Sequence, residues 1–134
     1  MNNQKEIAVK VMKLANDFTN WGFQMKKEDD AYLVWAELYN QKGNKMVIYY
    51  VVGEEESQLM VLSPNSRYDD CYVNERINAI PLEHPIYATG MGKYSLSINS
   101  PMSTEVLDSQ MGAIVLKRMA DMAEAMTDII NHCN

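Results

Sequence analysis

The chain has 134 residues, 47% of them hydrophobic, with a formal net charge of -6 at pH 7. Length and composition predict one globular domain over residues 1–134 with a substantial core, and exclude an intrinsically disordered chain. The acidic balance disfavours nonspecific nucleic-acid binding, and the longest purely apolar run, Met46 to Val52, is far short of the roughly 20 residues that span a bilayer.

Charge is distributed unevenly. Residues 1–27 carry Lys5, Lys10, Lys13, Lys26 and Lys27 against Glu6 and Asp17, a balance of +3. From Glu54 to Glu83 seven acids face Arg67 and Arg76, a balance of -5. Charges at Lys5, Glu6, Lys10 and Lys13 break up the N-terminal stretch, so no secretory signal is expected and the cytoplasm is the expected location. Cys71 and Cys133 lie outside any CxxC spacing and are expected as reduced thiols.

A first helix is predicted over about Gln4 to Asn20. Ile7, Val11, Leu14 and Phe18 recur at helical spacing, supported by Ala8, Met12 and Ala15, with Gly22 placed as the left-handed residue that ends it. Ala31 to Tyr39 and Lys45 to Val52 are rich in aromatic and branched residues and read as strands, joined by a hairpin at 40–44 that uses Gly43. A third strand follows from Gln58 to Leu62 after the 53–57 turn. Tyr32, Val34, Ala36 and Leu38 share one face of their strand, yet Leu33, Trp35 and Tyr39 occupy the other. Both faces of the sheet therefore carry apolar side chains, and the second face needs a cover: a helix, a partner subunit or a ligand.

Val73, Ile77 and Ile80 mark a short helix before Pro81. An extended passage from His84-Pro85 leads to strands at Ile86 to Thr89 and Lys93 to Asn99, joined through Gly90-Met91-Gly92. Ser100 or Ser103 is expected to cap a last helix running from about Thr104 to His132, with Pro101 in its lead-in. Along that helix Met111, Val115, Met119, Met122, Met126 and Ile129 form one apolar stripe, with Gly112 as a site for a bend. Unbranched methionines make a deformable face suited to an irregular core or to a repacking interface. At about 1.5 Å per residue the helix approaches roughly 40 Å, and its far end is expected to reach a second subunit.

No pattern of reactive residues stands out. His84 and His132 with the two cysteines lack zinc-site spacing, the acid runs 28–30 and 54–56 lack the alternation of a calcium loop, and Gly90-Met91-Gly92-Lys93 is not a phosphate loop. No G-x-S-x-G elbow is present. No catalytic, metal or cofactor site is expected. Trp35, Tyr39, Tyr49 and Tyr50, on neighbouring predicted strands, are candidates to line an exposed groove.

The order helix, three strands, short helix, two strands, long helix, with Gly22-Phe23 after the first helix and Asn74 to Asn78 (Asn-Glu-Arg-Ile-Asn) in the short one, resembles the type III secretion chaperone-like superfamily and its relatives among bacterial sensory transduction regulators. The resemblance implies an α/β sandwich that dimerises through helix and sheet surfaces and holds a protein segment. It implies no reaction.

The expected fold is thus α+β, a two-layer sandwich with a largely antiparallel five-stranded sheet flanked by N- and C-terminal helices. The expected function is that of a chaperone-like or adaptor-like homodimer that shields an apolar segment of a partner protein. Trp35, Tyr50, Met119, Met122 and Met126 are the expected partner-binding residues, with no nucleic acid and no membrane involved. Two other readings stay open: an acidic, phage-type anti-defence inhibitor of a nucleic-acid-binding enzyme, suggested by the -5 stretch, and a small-molecule sensor using the aromatic groove.

Overall fold

The computed structural model describes residues 3–64, 66–80, 87–90 and 95–134. Helix α1 (Gln4–Thr19) leads into β1 (Gln24–Glu28), β2 (Ala31–Tyr39), β3 (Lys45–Val52) and β4 (Glu56–Ser63). After α2 (Asp70–Asn78) come β5 (Tyr87–Gly90) and β6 (Leu96–Ser103), then α3 (Thr104–Gln110), a π turn (Met111–Val115) and α4 (Leu116–Cys133). The strands form one antiparallel sheet in the order β1-β2-β3-β4-β6-β5. The architecture is the expected α+β sandwich, with a sixth strand at one edge. Residues 91–92 of the expected second hairpin turn and the passage opening at His84-Pro85 lie outside the described residues.

The additional strand is β1. Gln24-Met25-Lys26-Lys27-Glu28 has almost no apolar content and becomes a strand by pairing with β2 across a two-residue turn. Asp29 takes φ 52° in that turn, a left-handed conformation that aspartate tolerates better than most residues. Lys26 and Lys27 on this edge strand discourage further strand pairing. At the other side of the sheet β6 runs through Pro101 to Ser103 instead of stopping at Asn99. Among the described residues only Leu96–Asn99 of β6 pair with β5, and Pro101 pairs with Gln58 of β4 alone, a position in a sheet that tolerates proline.

Helix α1 ends as a helix should, at a left-handed residue, but that residue is Asn20 (φ 60°), and Gly22 (φ 78°) shapes the following turn. Ile7, Ala8, Val11 and Ala15 are buried, while Phe18, expected on the same stripe, is 54% exposed. The β2–β3 hairpin uses Gly43 at φ 82°, with Gly43 N–H donating to the Asn40 carbonyl. Ser103 caps α3, its hydroxyl accepting from the Val106 N–H at 3.1 Å.

The core lies between one face of the sheet and the helices. Val34, Ile48, Tyr50, Val52, Leu59, Val61 and Ile98 on the sheet, and Met111, Val115, Met119, Met122, Met126 and Ile129 along the last helices, belong to one buried cluster. Helix α1 packs over β1, β2 and β3, and α4 over β3 and β4. Burial along α4 continues to Ile129 and Ile130, so its length is used within this chain.

The π turn follows from the spacing of that stripe. From Leu107 through Met111 and Val115 to Met119 the buried residues recur every four positions. On a helix of about 3.6 residues per turn each step of four drifts by about 40°, which would carry Met119 about 120° away from Leu107. One extra residue held in a π turn, where the Leu116 N–H donates to the Met111 carbonyl, removes most of that drift and keeps all four side chains in the core.

Because Met122 is fully buried, Met122→Ala should lower stability by about 3 kcal/mol, whereas Met60→Ala, half-buried on the opposite face of the sheet, should cost about 1 kcal/mol or less. Denaturant unfolding of the two variants checks this, with equal losses contradicting the assignment of faces.

Candidate functional site: the open face of the sheet

Side chains alternate across a strand, so the residues between the core positions point away from the helices. The register aligns them into rows. One row runs Gln24, Trp35, Tyr49, Met60, Asn99 across β1, β2, β3, β4 and β6; the next runs Lys26, Leu33, Val51, Gln58, Pro101. Leu33, Trp35, Tyr49, Val51, Met60 and Leu62 on this face are half-buried, and none belongs to the core cluster. They line a shallow trough of about 610 Å³ with Lys26, Glu28 and Glu37 at its margin. Lys26 reaches over the Trp35 ring, its ammonium 5.5 Å from the ring centre, and pairs with Glu28 at 3.2 Å. Glu37 pairs with Lys45 at 3.3 Å.

Towards the β1–β2 and β3–β4 turns the trough becomes acidic. Glu28, Asp29, Asp30, Glu54 and Glu56 line a second depression that shares Glu28, Leu33 and Val51 with the trough. Two acid runs separated by more than twenty residues in sequence meet here because both turns lie at the same end of the sheet.

The backbone under these acids is held firmly. The buried Gln4 amide donates to the carbonyls of Asp30 at 2.6 Å and Val52 at 2.7 Å, joining the two turns. The Thr104 N–H donates to the Glu55 carbonyl at 2.8 Å and the Thr104 hydroxyl to the Gly53 carbonyl at 2.9 Å. A Cβ at Gly53 would collide with the Glu56 carbonyl oxygen, so this turn requires glycine on steric grounds.

The sequence-predicted binding residues divide. Trp35 lies at the centre of the open face. Tyr50, Met119, Met122 and Met126 are fully buried between sheet and helix, with no surface to offer a partner, and the Tyr50 hydroxyl donates to the Met119 sulfur at 2.9 Å. The reason is strand phase: Tyr49 and Tyr50 are neighbours in sequence and point to opposite faces. Leu33, Tyr49, Val51, Met60 and Leu62 are the site residues that the sequence did not single out together. Tyr39, 63% exposed, stands at the end of β2, where it joins Leu38, Met46, Thr127, Ile130 and three asparagines around a separate hollow of about 280 Å³.

Among the described residues no group of three or more His, Cys, Asp or Glu side chains could hold a metal ion. Cys71 is exposed and Cys133 partly buried, and both are free. His132 stacks flat on Tyr72, ring centres 3.8 Å apart, joining α4 to α2 beside the Arg76–Asp128 pair at 2.8 Å. No helix of the described residues is long and apolar enough to cross a membrane. No protein-family model, curated protein or solved structure matches this chain.

Burial pushes the Tyr50 phenol well above its ordinary value of 10.0. The unfolded chain loses this proton near that value while the folded chain keeps it, so the group's contribution is complete below about pH 10 and is lost as pH rises further. The melting temperature of the native protein should fall more steeply than that of Tyr50→Phe as pH rises past about 10, and parallel slopes there would show that Tyr50 is not a buried neutral phenol.

Proposed function

We propose that this protein is a non-enzymatic binding module, chaperone-like or adaptor-like, that shields an apolar segment of a partner protein on the open face of its sheet. One observation carries the reading: a contiguous, half-buried apolar row centred on Trp35, Tyr49 and Met60 that, among the described residues, no helix covers. Apolar patches of this kind on a soluble domain mark contact surfaces, and tryptophan, tyrosine and methionine are enriched there. The resemblance to type III secretion chaperone-like proteins supports the same reading. A second copy of the chain is another protein able to cover this face, in which case the module is a homodimer. The free thiols suit a reducing compartment, and we assign the module to the cytoplasm.

The meeting of two acidic turns beside the trough favours one second reading, that of an acidic inhibitor of a nucleic-acid-binding enzyme. Its hallmark is capture dominated by charge, strong at low salt and abolished by reversing Glu54, Glu55 and Glu56.

Trp35→Asp should leave the melting temperature nearly unchanged, because the ring is outside the core, while lowering partner capture about tenfold or more. Met122→Asp, in contrast, should unfold the protein. Quantitative mass spectrometry of proteins retained by wild type and by folded Trp35→Asp decides the matter; identical sets of partners would remove the open face from consideration.

A further inference from the structure

The charges around the open face narrow the chemistry of what covers it, given the binding-module reading on which this step rests. The lysines beside the trough are already matched, Lys26 by Glu28 and Lys45 by Glu37. Asp29, Asp30, Glu54 and Glu56, at the turn end of the same face, form no ion pair among the described residues. All four are exposed, so a partner meets them without first breaking an internal contact. A second copy of the chain would bring a second set of the same uncompensated carboxylates to the interface, and charge repulsion disfavours that. A segment with cations beside an apolar stretch satisfies both parts of the surface.

We propose that the open face receives a basic, apolar segment of another protein. Its aromatic or aliphatic side chains lie over Trp35, Tyr49 and Met60, and its lysine or arginine side chains meet Asp29, Asp30, Glu54 and Glu56. The spacing is set by β2: from Trp35 to Ala31 the strand advances about 13 Å at about 3.3 Å per residue. An extended segment therefore places its cations about four residues from its apolar centre. The acidic end attracts the segment from a distance, and the trough fixes its register.

Panning a phage-displayed library of random dodecapeptides on the full chain tests this. The comparison proteins are Trp35→Asp, the combined reversal Asp30→Lys/Glu54→Lys/Glu56→Lys, and its neutral counterpart Asp30→Asn/Glu54→Gln/Glu56→Gln. Asp29 is left in place because its φ of 52° disfavours lysine. Unchanged melting temperatures establish that each variant is folded, and the neutral set serves if the reversal is not.

The expected result is enrichment of peptides with an apolar cluster and Lys or Arg offset by about four residues. A synthesised winner should bind the reversed protein about tenfold or more weakly, the neutral one to an intermediate degree, and Trp35→Asp hardly at all. Winners without net positive charge, or winners that the charge variants bind as tightly as wild type does at low salt, overturn the basic partner while leaving the apolar face standing. Winners that Trp35→Asp retains in full overturn both readings. A dimer in sedimentation that Trp35→Asp disperses, with no peptide enriched, overturns the proposal in favour of a second copy.

Discussion

The central strands carry apolar side chains on both of their faces, and among the described residues the helices cover only one of them. Val34, Ile48, Leu59 and Val61 alternate with Leu33, Trp35, Tyr49 and Met60, so burying one set beneath α1 and α4 turns the other outwards. A one-residue slip of β3 would exchange Tyr50 for Tyr49 in the core and break the hydroxyl contact to Met119. The open face is consequently the obligatory reverse of the core, held in place by everything that holds the core.

The methionines acquire a different meaning in this light. An apolar stripe of unbranched side chains suits a repacking surface as well as it suits an irregular interior. Here the interior is irregular for a definite reason. The helix crosses a twisted sheet with a π turn in its path, and the side chains on either side of that turn must meet the strands from slightly different directions. Met111 opens the turn and Met119 lies one turn beyond it, both fully buried, which is where flexible gap-filling side chains are most useful.

Periodicity made the helices legible. The first helix, the short second one and the long last one all declared themselves by apolar residues at steps of three and four, and their boundaries fall within a few residues of expectation. β1 was illegible because its five residues hold one apolar side chain, and only pairing with β2 makes it a strand. Phase was the deeper obstacle. When both sets of alternating positions are apolar, as in Met46–Val52, nothing local says which set faces the helices, and Tyr50 was therefore grouped with Trp35 although it points the other way. The π turn left a trace in the three successive steps of four from Leu107 to Met119. The joining of the two acid runs left none, because it depends on sheet topology and on a buried glutamine remote from both in sequence.

That glutamine connects the fold to the site. Gln4, at the first turn of α1, donates to the Asp30 carbonyl in one acidic turn and to the Val52 carbonyl at the entry to the other, and Thr104, at the first turn of α3, fixes the second turn from its other side. Carboxylates repel one another, and loops bearing them would separate if nothing below held the backbone. Here hydrogen bonds from the buried Gln4 and Thr104 do the holding, and the charged side chains remain exposed to water. The apolar trough is equally preformed, since its floor is the back of the core. A surface whose backbone is held in place before contact loses little backbone entropy on binding, so more of the contact energy from a partner segment is left for affinity.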